Sequence, residues 1–137
     1  GVLHGFHPAA GEALGLWAVV LPHMRLEEGG ILWVAIDRPT RQALNYNDAR
    51  DGGLVSLLIS ADRARIAAVF REKDDGKVEV GLRAVPGYDV ATVAARLGGG
   101  GHALAAGCTI DGPLDAAVER TLALLREAAR EGAPVVP

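Results

Sequence analysis

The residues with the clearest capacity for chemistry lie in the stretch Leu97-Gly98-Gly99-Gly100-Gly101-His102-Ala103-Leu104-Ala105-Ala106-Gly107. Four adjacent glycines lose much backbone entropy on ordering. Such a run between two packed elements therefore marks a place where the main chain takes φ > 0 or where something approaches it closely. Without Cβ atoms, successive N–H groups can converge on an anion, and the neighbouring imidazole of His102 adds a ring N–H or a positive charge. Phosphate is the leading ligand for such a cradle. A glycine run alone is weak evidence, since a flexible loop has the same composition.

The full spelling says more. Four glycines and a histidine, then two residues and Ala105-Ala106-Gly107, resemble the signature of the DHH-associated domain (type 1). That domain is the C-terminal substrate-binding module of the DHH phosphoesterases. The likeness is greatest to the nanoRNase and pAp phosphatase branch, with the RecJ single-strand exonucleases further off, and it runs from about Ile31 to the C-terminal helix. The resemblance implies catalysis by two manganese ions, held by Asp and His motifs, including Asp-His-His, in a separate N-terminal domain. No such motif occurs in this chain. It implies, further, that His102 helps to bind substrate and that Arg83, at the end of its strand, contacts substrate phosphate. The family usually has serine beside that arginine, where this chain has Ala84.

The composition sets bounds. A chain of 137 residues suits one domain, and with 50% apolar but only 4% aromatic residues its core is expected to be aliphatic. A net charge of −3 argues against a surface that grips long nucleic acid by phosphate neutralisation, yet leaves room for a local anion site. The single cysteine, Cys108, excludes an internal disulfide and reads as a small buried residue. The apolar run Leu14 to Leu21 is too short to cross a bilayer, and no leader pattern is present, so a cytoplasmic protein with no membrane partner is expected. The chain begins with Gly1, consistent with a piece of a longer protein.

His4 and His7 lack Cys or acidic neighbours to complete a metal site, so no metal is expected in this chain. Apolar residues at Leu14, Trp17, Val20, Leu21 and Met24 predict a helix that Pro22 kinks or breaks and that Glu27-Glu28-Gly29-Gly30 ends. Residues 1–30 then read as a connector from a missing N-terminal DHH domain, 31–132 as the substrate-binding domain and 133–137 as a tail. Ile31 to Ile36 is apolar without alternation, the pattern of a strand buried on both faces. Asp37 and Pro39 start a short helix through Ala43, and Asn45 to Gly53 is turn-rich. Leu54 to Ile59 reads as helix or strand from its residues; the resembled family has a helix there.

Arg65 to Arg71 and Lys77 to Arg83 read as a hairpin. A three-residue turn Asp74 to Gly76 sets Phe70 opposite Val80 and Arg71 opposite Glu79, which keeps the apolar face apolar. Val78, Val80 and Leu82 then face the core, while Glu79, Gly81 and Arg83 share the other face with Arg71. Arg71 reads as half of a solvated Arg71–Glu79 pair, with an anion contact as the alternative. Asp89 caps a helix carrying Val90, Val93, Ala94 and Leu97. The glycine run ends that helix, Ala103 to Gly107 makes a tight turn, and Cys108 to Ile110 a short strand. Gly112-Pro113 opens a final helix with a stripe of Leu114, Ala117, Val118, Thr121, Leu124, Leu125 and Ala128, which Gly132 stops.

The expected architecture is an α/β domain with a central mixed β-sheet flanked by helices. In it, Arg83 and His102, with the N–H groups of Gly99, Gly100 and Gly101, clamp a phosphate, and Arg71 is a further candidate. The expected ligand is a nucleotide or short single-stranded RNA or DNA, with manganese confined to the missing N-terminal DHH domain and a homodimer as a further possible partner. The competing reading is a non-hydrolytic nucleic-acid-binding module similar to the C-terminal domain of alanyl-tRNA synthetases. A domain that only mediates dimerisation is the third.

Overall fold

The computed structural model describes residues 17–43 and 53–135. His4, His7, Leu14 and most of the turn-rich stretch before Gly53 lie outside them. The described residues form a six-stranded mixed sheet. Its strands are β1 (Arg25–Glu27), β2 (Ile31–Ile36), β3 (Ile66–Glu72), β4 (Val78–Ala84), β5 (Gly100–His102) and β6 (Ala105–Ile110). In space they run β1-β2-β3-β4-β6-β5, with β2 and β3 parallel and every other pair antiparallel. The helices are α1 (Arg38–Ala43), α2 (Leu54–Ile59), α3 (Ala91–Arg96) and α4 (Leu114–Glu131). This is the α/β architecture expected from the sequence.

The two faces of the sheet are covered unequally. On one, Ile66, Ala68, Phe70, Val78, Val80, Leu82, Ala106, Cys108 and Ile110 pack with Val93 and Ala94 of α3 and Ala117, Val118, Leu122 and Leu125 of α4. On the other, Leu32, Val34, Ile36, Ala67 and Val69 pack under Leu54, Val55 and Leu58 of α2. Residues of β3 are therefore buried on both sides, whereas β4 alternates buried with half-buried positions. Outside the reach of α2, no helix among the described residues covers the second face of β4, β6 and β5.

Local chemistry explains the elements. Thr40 N–H donates to Asp37 Oδ1 at 2.9 Å, capping α1, and hydrogen bonds from Thr40 hold the Asp37 carboxyl below its ordinary pKa. Ala91 N–H donates to Asp89 Oδ1 at 2.8 Å and the Thr92 hydroxyl to Asp89 Oδ2 at 2.9 Å, so Asp89 caps α3. The β3–β4 hairpin takes the register with Phe70 opposite Val80 and Arg71 opposite Glu79. Lys73 N–H meets Lys77 O at 2.8 Å across the three-residue turn, in which Gly76 has φ +85°. No helix among the described residues is long and apolar enough to cross a membrane.

The N-terminal helix differs from expectation. Residues 17–20 are helical, a 3₁₀ turn at Leu21–His23 follows with Pro22 inside it, and the chain then extends into β1 instead of continuing as helix to Glu27. Gly29 and Gly30, at φ +93° and +81°, make the turn into β2, which gains β1 as an edge partner. Glu27 is tied to α4 by a two-armed contact, Arg126 Nε and Nη2 each donating to a Glu27 carboxylate oxygen at 3.0 Å.

Thr121 is fully buried in α4, and its hydroxyl has no hydrogen-bond partner among the described residues. Replacing it with the isosteric valine removes that desolvation cost, so Thr121→Val is expected to raise stability by about 1 kcal/mol in thermal or urea denaturation. Cys108 is a free, buried thiol whose pKa burial pushes up. A disulfide reagent at pH 8 is expected to modify it at least about tenfold more slowly in the native chain than in denaturant.

Candidate functional site

Directly paired residues in a ladder project to the same face, so the strand register reads out which side chains meet. Arg83 of β4 lies opposite Ala105 of β6, and Ala105 lies opposite His102 of β5. Arg83 and His102 therefore stand on one face with Ala105 between them, about 10 Å apart across two strand spacings. That face is the open one, because Ala106, Cys108 and Ile110 turn the other way into the core. Ala105 places only a methyl group between these two side chains. His102 is exposed and Arg83 half-buried, with its Nη1 donating to Leu82 O at 3.0 Å.

The next row along the strands is Gly81, Gly107 and Gly100, paired across β4, β6 and β5. Beyond it, Arg71 lies opposite Glu79 and Glu79 opposite Thr109. Arg71 is only 7% exposed, so it is no member of a solvated pair. Its Nη1 lies 3.6 Å from Glu79 Oε1, and the guanidinium rests against the backbone of Gly81 where Val55 of α2 also approaches. Hairpin patterning cannot show a neighbour such as Val55, which the fold brings to this row from α2.

The glycine run is built differently from a loop of converging N–H groups. Gly98 takes φ +88° just after α3, where its N–H donates to Ala95 O at 3.1 Å and that of Gly99 to Ala94 O at 2.8 Å. Gly100 and Gly101 then enter β5, an edge strand paired with β6. What was expected as one tight turn from Ala103 to Gly107 is a two-residue link, Ala103-Leu104, followed by the longer strand β6. Three-residue β5 is rich in a residue that disfavours strands, and its turn lacks the usual Asn or Gly, so neither carried a sequence signal. The link is pinned at both ends: Val90 N–H donates to Ala103 O at 2.8 Å and Ala84 N–H to Leu104 O at 3.0 Å. His102 is thus fixed from α3 and from the end of β4.

The four glycines have separate reasons to be glycine. At Gly99 a Cβ would collide with Gly107 O, and at Gly101 it would fall 2.5 Å from Ala105 O, so β5 docks on β6 more closely than any side chain permits. At Gly100 a Cβ would meet nothing within 4 Å, and its φ is outside the left-handed region. Nothing among the described residues requires a glycine there. Among the described residues, no group of three or more His, Cys, Asp or Glu side chains is placed to hold a metal ion.

Comparison with known proteins agrees with this architecture. The DHHA1 domain matches residues 40–131. The bifunctional oligoribonuclease and PAP phosphatase NrnA of Thermus thermophilus is 41% identical over 71 residues, covering 51% of this chain and 22% of that protein. A probable bifunctional oligoribonuclease and PAP phosphatase NrnA of Streptococcus mutans is 30% identical over 92 residues, covering 67% of this chain and 29% of that protein. The chain therefore spans less than a third of either relative. An exopolyphosphatase-related protein from Bacteroides fragilis superposes with a TM-score of 0.81 at 21% identity, over 94% of this chain and 37% of the other, and shares the fold.

The steric contrast within the glycine run is directly measurable. Gly99→Ala is expected to lower stability by about 2 kcal/mol or more, because backbone must shift to admit the methyl group. Gly100→Ala is expected to stay within about 0.5 kcal/mol of the parent in the same denaturation assay.

Proposed function

The chain belongs to the DHHA1 domain family, and from that premise we propose that it is the substrate-holding domain of a manganese-dependent DHH phosphoesterase. Its ligand is a nucleotide or the end of a short oligoribonucleotide, and the reaction of the whole protein is hydrolysis of such oligoribonucleotides or of 3′-phosphoadenosine 5′-phosphate. The observation that carries this reading is the pairing of Arg83 with His102 across Ala105 on an open sheet face. A guanidinium donates two parallel hydrogen bonds to phosphate oxygens, and the imidazole adds a third from the opposite side. The names of the two NrnA relatives, which describe oligoribonuclease and PAP phosphatase activity, support the substrate class.

The manganese ions, which supply an activated water when bound, are assigned to an N-terminal DHH domain that partners this one. The contribution of this chain is positional. Residues 17–30 lead into the sheet, with β1 forming part of the sheet itself. Holding the terminal phosphate at Arg83 and His102 fixes where the scissile bond lies relative to a separate catalytic centre. Fixing that distance converts a bimolecular encounter into an intramolecular one. In place of the family's usual serine, Ala84 turns its methyl group into the core cluster with Val80 and Leu82. The phosphate contact here rests on Arg83 and His102, and Arg71 lies on the same face two rows away.

The test is binding of nucleoside monophosphates and short oligoribonucleotides to this chain by NMR titration or calorimetry. Arg83→Ala and His102→Ala are each expected to weaken binding by about tenfold or more, the value of one or two charge-assisted hydrogen bonds. In the protein carrying the DHH domain, the same changes are expected to lower kcat/KM while metal content is unchanged. Shallow salt dependence is expected for so small a contact. Wild-type affinity in both variants, or a steep salt slope with long RNA only, would instead favour a non-hydrolytic nucleic-acid-binding module.

A further inference from the structure

The connection from β4 to α3 is gripped by the end of the chain. At its two ends, Ala84 and Val90 hold the link that follows His102, through the hydrogen bonds to Leu104 O and Ala103 O. Between them, Tyr88 N–H donates to Val85 O at 3.2 Å and closes a turn with Pro86 and Gly87 at its centre, Gly87 taking φ +103°. Ala133 N–H donates to Gly87 O at 3.2 Å, and the Ala133 carbonyl oxygen occupies the place that a Cβ of Gly87 would fill. One residue earlier, the Tyr88 ring lies where a Cβ of Gly132 would stand. Gly132 has an extended backbone, φ −85° and ψ 164°, open to any residue, so its missing side chain answers to Tyr88 alone. Yet the segment buries little. Ala133, Pro134 and Val135 are exposed, Val135 to 65%. So close an approach with so little apolar area removed from water fixes position more than it adds stability.

Resting on the assignment of Arg83 and His102 to phosphate, we propose that Gly87, Gly132 and Ala133 are positioning residues for that site. Residues 133–135, set apart as a tail by the sequence, hold the Pro86-Gly87 turn through Ala133. The turn sets where Ala84 and Val90 stand, and their N–H groups hold the Ala103-Leu104 link between His102 and Ala105. Arg83 is bonded directly to Ala84, so one contact at Gly87 acts on both side chains of the clamp. With the tail released, the turn and then the link are free to shift, and the guanidinium and the imidazole no longer converge on one phosphate. Their spacing matters because a hydrogen bond weakens steeply once its angle and distance are lost.

Two variants separate position from stability. One is the chain ending at Gly132. The other is Ala133→Pro, which removes the N–H donor to Gly87 and follows a residue whose extended backbone already suits the position before proline. Ribose 5-phosphate is titrated into each by NMR, well below the melting temperature of every variant, and amide hydrogen exchange is read on the same samples. Both variants are expected to weaken binding of the sugar phosphate by about fivefold or more. Both are expected to speed exchange at Ala84 and Val90 by about tenfold relative to the amides of β3. Arg83→Ala is expected to weaken binding and leave exchange unchanged. Should the shortened chain fail to fold, Ala133→Pro decides. Unchanged affinity in the tail variants overturns the positioning role, as does a rise in exchange that β3 shares equally, which marks a loss of global stability. If Arg83→Ala weakens binding and neither tail variant does, the phosphate assignment stands while this one falls. If the wild-type chain binds no ribose 5-phosphate, the phosphate assignment falls and takes this one with it.

Discussion

The close approach of β5 to β6 is the constraint on which the rest of the site depends. At Gly99 and Gly101 the two main chains leave no space for a Cβ, and the ladder pairs Gly100 with Gly107 and His102 with Ala105. A strand is an alternating object, so fixing one pair fixes the face of every residue on it. Were β5 to slip by one position on β6, His102 would turn toward the core side and Gly101 toward solvent. The glycines therefore set a register, and the register delivers the imidazole to the side where Arg83 stands. The hydrogen bonds from Val90 and Ala84 into the Ala103-Leu104 link act in the same sense, since they hold the turn that a slip would have to rebuild.

The two faces of the sheet are covered unequally, and this sets the environment of each charged residue on it. Helices α3 and α4 cover one face, drawing Val78, Val80, Leu82, Ala106, Cys108 and Ile110 into a continuous aliphatic core. On the other face, among the described residues, Leu54, Val55 and Leu58 of the six-residue α2 cover Leu32, Val34, Ile36, Ala67 and Val69, with Trp17, Val20 and Leu21 of the N-terminal segment packed into the same cluster. The half-covered side is where the charged residues gather, and the border of α2 accounts for their different environments. Arg71, beside Val55, is buried, whereas Arg83 and His102 lie progressively farther from the helix and become half-buried and exposed.

Much of this was legible in the sequence, for identifiable reasons. The β3–β4 register followed from keeping Phe70 and Val80 on one face, and a turn with Gly76 in the left-handed region allowed it. Asp37 and Asp89 were readable as caps because capping is local. The family was readable because its signature is concentrated in one stretch, and few loops join so long a glycine run directly to a histidine. Three features were not legible. β1 is an edge strand of three residues whose partner lies across a glycine turn, too short for an alternation to register. β5 consists of residues that disfavour strands and owes its existence to backbone docking, a contact with no side-chain signature. The third is the burial of Arg71, whose row Val55 of α2 approaches only in the folded chain.

The charge distribution completes the argument from composition. A chain of net charge −3 is a poor general ligand for polyanions, yet Arg71 and Arg83 project to one face of the sheet, where their charge is local. The carboxylates that make the chain acidic lie mainly elsewhere: Asp37 and Asp89 are used as helix caps, Glu27 against Arg126, Asp111 against Lys77, and Glu127 against Arg96. Glu79 is the exception, a carboxylate placed among the cations of the open face. Its position lowers the attraction for phosphate at that end and leaves the Arg83 and His102 end the more favourable for an anion. A site whose two ends differ in this way can orient an asymmetric ligand, which a uniformly basic surface cannot do. Under the proposed function, orientation is what this chain contributes to a bond broken elsewhere.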